Sequence, residues 1–153
     1  MNQTERPAAV SAAPPAAVLD TNAVLDWLVF QDPGITALAA AVKAAAVRWI
    51  ASPHMREELL RALSYSALAK WKPDCERTLT AFDQWAIVCA EPSPTRAGPL
   101  VCSDPEDQVF IDLALSQQAR WLVTHDRALH KLARHAARQG VQILHPRDWP
   151  GLA

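Results

Sequence analysis

Residues 16–22 read A-A-V-L-D-T-N: four apolar residues, then an aspartate, then two polar residues that open a helical pattern. An apolar run this short, stopped by an acid and followed by a helix, reads as a buried strand feeding an α-helix. The motif recurs. V-R-W-I-A-S at 47–52 leads into S-P-H-M-R-E-E-L-L, and R-W-L-V-T-H-D at 120–126 leads into a helix, while V-Q-I-L at 141–144 supplies a fourth strand. The runs do not alternate apolar with polar residues, so each expects cover on both faces, and strands that alternate with helices give a parallel sheet. The fold expected is therefore an α/β domain. Helices are expected over 22–30, 34–46, 53–70, 76–86, 105–118 and 127–139. The segment E-P-S-P-T-R-A-G-P-L-V-C-S-D at 91–104 is expected to be a surface loop linking two halves of one sheet.

Composition narrows the function classes. The chain has 153 residues, and 15 basic against 16 acidic side chains give a net charge of −1. One domain is expected over residues 17–150, after a loose tail at 1–16 in which Pro7, Pro14 and Pro15 interrupt anything resembling a signal peptide. No apolar run approaches the ~20 residues of a membrane-spanning helix. Cys75, Cys89 and Cys102 are odd in number and lack CxxC spacing, so neither a disulfide framework nor a zinc knot is expected, and the reading is cytoplasmic. None of the four glycines belongs to a dinucleotide or P-loop fingerprint.

The acids are the informative residues. Ligands of open α/β sheets bind beyond the carboxyl ends of the strands, where Asp20 and Asp126 fall. Each also suits the N-cap of the helix that follows. In the helix opened by Ser52 and Pro53, phase puts Glu58 about 60° from the buried Met55 direction and Glu57 nearly opposite. A glutamate at that border expects a cationic partner or a wet edge. In S-D-P-E-D-Q-V-F-I-D, Asp104 is the expected cap and Asp107 lies about 60° from Phe110, with an N-terminal capping role as its plainer reading; Asp112 points outward to solvent, and Glu106 also flanks the buried stripe. Four carboxylates at one sheet edge repel unless a cation neutralises them. Oxygen ligands without Cys or paired His favour Mg2+ or Mn2+ over zinc.

V-L-D-T-N, S-P-H-M-R-E-E-L, D-P-E-D-Q-V-F-I-D-L-A-L and L-V-T-H-D, in this order and spacing, resemble the PIN-domain ribonucleases, in particular compact prokaryotic members that include VapC-like toxins. The resemblance spans residues 18–126, with V-Q-I-L-H-P-R-D-W similar to the family's final strand. It implies a three-layer α/β/α fold with a central parallel sheet and a Mg2+- or Mn2+-dependent endoribonuclease. It implies that Asp20, Glu58, Asp107 and Asp126 form the catalytic and metal-binding set, that Asn22 and Thr124 are supporting polar residues, and that Asp104 belongs to the outer metal shell. It further implies an RNA substrate, an antitoxin partner in a bacterial toxin–antitoxin pair, and a homodimer. His125 departs from the pattern, since many similar proteins have a small residue there; it narrows the site, contacts phosphate or points away, the last being favoured.

Arg127, Lys131, Arg134 and Arg138 fall within about 40° of one helical direction, either an ordinary solvated face or an RNA backbone track. His125, His130 and His135, five apart, are spread by helical geometry, so no histidine metal site is expected. The tryptophans at 27, 49, 71, 85 and 121 are expected to pack in the core. A haloacid-dehalogenase-like phosphatase would want an aspartate at position 22, which is Asn, and a receiver domain would want a lysine at a later strand end. The remaining alternative is a non-catalytic PIN-like RNA- or protein-binding module.

Overall fold

A computed structural model describes residues 13–152. Five strands run β1 (Ala16–Leu19), β2 (Arg48–Ala51), β3 (Ala86–Val88), β4 (Trp121–Val123) and β5 (Gln142–Leu144). They form one sheet in the order β3-β2-β1-β4-β5, with every pairing parallel. Val18 sits between Ile50 and Leu122 in register. These residues are buried on both sides of the sheet, which is why the strands carry no alternation.

The helices are α1 (Thr21–Leu25), α2 (Thr36–Lys43), α3 (Pro53–Ala62), α4 (Cys75–Trp85), α5 (Gln108–Ser116), α6 (Arg127–His130) and α7 (Ala133–Arg138). From β1 the chain moves outward to β2 and β3, then returns across β1 to β4 and β5. Right-handed crossovers in opposite directions put helices on opposite faces, and the three-layer α/β/α arrangement follows. The return path is the Pro-rich loop at 91–104, as expected of a linker between half-sheets. The reversal of direction lies between β1 and β4.

Several helices are shorter than the hydrophobic period suggests. The stretch at 53–70 stops at Ala62 because the Ser64 hydroxyl donates to the Arg61 carbonyl at 2.7 Å, a local bond that competes with the helical ladder; Tyr65 is then extended and a 3-10 turn covers Ser66–Trp71. The helix begun at Thr21 widens into a π-turn over Asp26–Phe30, ended by Gln31 in the left-handed region at φ 52°. The stretch at 127–139 is divided between α6 and α7 at Lys131 and Leu132. Strand β3 has no counterpart among the expected elements. It has three residues, follows α4 with no turn between them, and lies at an edge where Ile87 and Val88 remain about half exposed. Strand β1 starts at Ala16, and Arg48 binds the Pro14 and Pro15 carbonyls through Nε and its backbone N–H, both at 2.8 Å, so the ordered fold reaches back into the expected tail; residues 1–12 of that tail lie outside those described.

The core is apolar and layered on tryptophan. Trp49 is buried in β2 and meets Phe82 edge-on at 5.1 Å and Trp27 at 5.3 Å. Trp121 in β4 meets Trp149 edge-on at 5.5 Å. Trp71 is a correction to the packed-core expectation: it is 48% exposed, with its ring against Phe30 at 4.8 Å. Among the described residues no helix is long and apolar enough to cross a membrane.

Candidate metal centre

The reversal point between β1 and β4 brings Asp20 and Asp126 to neighbouring strand ends. Leu19 pairs with Val123, so Asp20 lies beside Thr124. One Asp20 carboxylate oxygen accepts from the Ala23 N–H at 2.8 Å, capping α1. The other accepts from the Thr124 hydroxyl at 2.5 Å. That hydroxyl oxygen also accepts from the Asp126 N–H at 2.8 Å, and Asp126 in turn caps α6 by accepting from the Ala128 N–H at 2.8 Å. The capping and site readings of the two aspartates are therefore compatible, since each cap uses one oxygen. Burial raises the Asp20 pKa despite the two hydrogen bonds that favour its ionised form.

Asp107 behaves differently. It ends a 3-10 turn (Pro105–Asp107) capped by Asp104, which accepts from the Glu106 N–H at 3.0 Å. Although Asp107 precedes α5, its side chain makes no capping bond, and Oδ2 is buried with no hydrogen-bond partner. Carboxylate oxygens of Asp104, Asp107 and Asp126 all lie within 4.8 Å of one another. Burial first, then a hydrogen bond to Asp126 and repulsion from Asp126, Asp104 and Asp20, push the Asp107 pKa up to about 8. A buried acceptor without a donor, among like charges, is the environment a hard divalent cation satisfies. The donor set fits a hard divalent cation, which Asp104, Asp107 and Asp126 would hold with Asp20 beside them.

Asp20, Asp107 and Asp126 open onto a cleft of about 270 Å³, which Asn22, Glu58 and Glu106 also line, with Phe30, Tyr65 and Phe110 among its apolar walls. Glu58 is at the cleft but not in the cluster: its carboxylate is taken by Arg61 of the same helix. It thus has both the cationic partner and the wet edge that its phase requires, while Glu57 is exposed. Helix α3 is held by the Arg56–Asp83 pair to α4, with Nε–Oδ1 and Nη2–Oδ2 both at 2.8 Å, and by Glu91, which accepts from the His54 N–H at 2.6 Å.

One reading is corrected and one residue is added. Asp112 is buried, not solvated; it accepts from the Thr95 N–H through both oxygens at 3.2 Å and from Gln108 Nε2 at 3.0 Å. Gln108 also accepts from the Cys102 N–H at 2.6 Å and donates to the Leu100 carbonyl at 3.0 Å. Together the two side chains fasten the Pro-rich loop over the outer face of α5, and their i, i+4 spacing is the one trace this left in the sequence. Asp26, which sequence reasoning missed, is buried in the π-turn and contacts His125 Nε2 at 2.5 Å. The imidazole is thereby turned toward Asp26, 99 positions away in the chain. Removing it in His125→Ala leaves a buried carboxylate without a partner, an expected loss of about 2 kcal/mol in urea unfolding. Most of that loss should be recovered by adding Asp26→Asn.

This topology, with acids converging at the reversal point of a parallel sheet, defines a nuclease-like α/β/α domain. A profile described as PIN domain matches residues 16–128, and the chain belongs to the PIN-domain family, whose members are generally nucleases that use divalent metals. No curated protein matches the sequence.

Proposed function

We propose that this protein is an endoribonuclease that hydrolyses RNA phosphodiester bonds with Mg2+ or Mn2+ held by Asp104, Asp107 and Asp126, with Asp20 beside them and Glu58 at the cleft wall. The observation that carries this reading is the unpartnered, buried Asp107 Oδ2 among converging carboxylates. A cation bound there supplies charge neutralisation and a water acidified for in-line attack on phosphorus.

The chain's own residues prepare the site. The Thr124 hydroxyl ties the Asp20 carboxylate to the Asp126 backbone, donating to the one and accepting from the N–H of the other. Asp107, its pKa raised by burial and by its acidic neighbours, holds a proton without metal that a bound cation would displace. Asn22, exposed at the rim, is a donor for a phosphate oxygen, and Tyr65, 54% exposed, offers a stacking face for a base. Arg134 and Arg138 on α7 are exposed and outside the ion pairs of the described residues, available to the phosphate backbone. Motif resemblance to VapC-like proteins supports a toxin role under an antitoxin, in a homodimer.

The engagement of Glu58 by Arg61 favours a second reading, a PIN-like module that binds RNA or protein without cutting. Purified protein incubated with a mixed RNA pool separates the two. Cleavage in manganese that stops on chelation supports the nuclease; binding without cleavage supports the module.

A further inference from the structure

Beside the acid cleft lies a second cavity, about 310 Å³, lined by Arg127, His130, Lys131 and His145. Three of these residues come from α6 and its end, and His145 follows β5, which pairs with β4. The cavity contains donors and positive charge but no counter-anion. The ion pairs of the described residues are Arg56–Asp83, Arg61–Glu58 and His125–Asp26, none of which involves it.

The histidine rings have defined roles. His130 Nε2 lies 2.7 Å from the Thr124 carbonyl, which only accepts, so Nε2 carries a proton and Nδ1 is the nitrogen left over. The ring stacks on His145 at 4.2 Å and 20°. His145 Nδ1 is buried and has no partner. Burial and the surrounding positive groups, His130, Arg147 and His125, hold His145 toward its neutral form, with Asp148 the opposing carboxylate. Arg127 and Lys131 make the cavity hostile to a metal cation, although it contains two imidazoles. A compact anion with several oxygens matches the two cations, Arg127 and Lys131, that line the cavity.

We propose that this cavity seats a backbone phosphate of the RNA strand, next to the phosphate held at the acid cleft. The inference rests on the nuclease reading for the identity of the strand. Its position fits: Arg127 follows Asp126 directly, and Thr124 touches both places, bridging Asp20 and Asp126 with its hydroxyl and receiving His130 with its carbonyl. A strand crossing the reversal point meets the carboxylates and then the basic cavity without leaving the surface.

The test separates the cavity from the chemistry. In metal-free full-length protein, inorganic phosphate should shift the His130 and His145 ring NMR signals saturably, with the His54 ring as internal control. Chloride at equal ionic strength should not reproduce the shift. A short fluorescent single-stranded RNA should bind the metal-free Arg127→Gln/Lys131→Gln variant about 10-fold more weakly, with a salt slope shallower by roughly 0.7 for the one phosphate lost. Ring shifts equal in chloride, or unchanged RNA affinity and slope, overturn the proposal; phosphate binding with unchanged RNA affinity would mean a site for free phosphate and likewise overturns it. Absence of RNA cleavage by the wild type in manganese overturns the nuclease reading alone, because the binding measurements need no metal.

Discussion

Asp107→Asn is expected to reduce manganese-dependent RNA cleavage by about 10³-fold or more while the protein stays folded. Replacing a ligand oxygen by an amide removes charge where the cation is held, and several kcal/mol of transition-state stabilisation corresponds to that loss. The fold should survive because the Asp107 side chain caps no helix and its buried Oδ2 receives no hydrogen bond. Initial rates on a labelled RNA, with circular dichroism as the folding control, check both halves. Cleavage by this variant at the wild-type rate would remove Asp107 from the site.

The same residue governs a second large effect, on stability. Its pKa is 3.8 in a free chain and about 8 in the folded, metal-free protein, so the folded state binds the proton more tightly. Between about pH 4 and 8 the native protein therefore holds more protons than the unfolded chain, and stability falls as pH rises through that window. At ~1.4 kcal/mol per unit, the loss by pH 8 is expected to reach about 3 kcal/mol or more. Thermal unfolding in chelator should show a midpoint falling across this range by roughly 8 °C. Saturating Mn2+ should restore it, and Asp107→Asn should flatten the profile. A midpoint that rises with pH in chelator would contradict the clustering of these carboxylates.

What could be read from the residues alone followed the range of the interactions. Asp20 and Asp126 were visible as strand-end acids because a buried strand, an acid and a helix start are contiguous in the chain. Asp107 was visible through its phase against Phe110, which is buried as expected, even though the helix proper begins only at Gln108. The parallel sheet was legible from apolar runs without alternation. Strand β3 was not, because three half-exposed edge residues following a helix carry no periodic signal. Nor was the contact of His125 with Asp26, which depends on the π-turn and on the return of the chain to β4. Asp112 failed for a related reason: helical phase reports which side of a helix faces the sheet, not whether a loop later covers the other side. The basic cavity needed β5 beside β4 before His145 could join His130.

Thr124 gives Asp20 and Asp126 fixed places, and both residues also cap helices, whereas the Asp107 side chain caps no helix and, once ionised, repels its neighbours. Selection therefore acts on these acids unequally. A descendant freed from cutting RNA would gain stability by discarding the charge at position 107, but it would still need a side chain that accepts an amide hydrogen at positions 20 and 126, with Asn, Ser or Thr as substitutes for Asp. An inactive relative would carry the record of its former chemistry at the two capping positions and lose it first at the third.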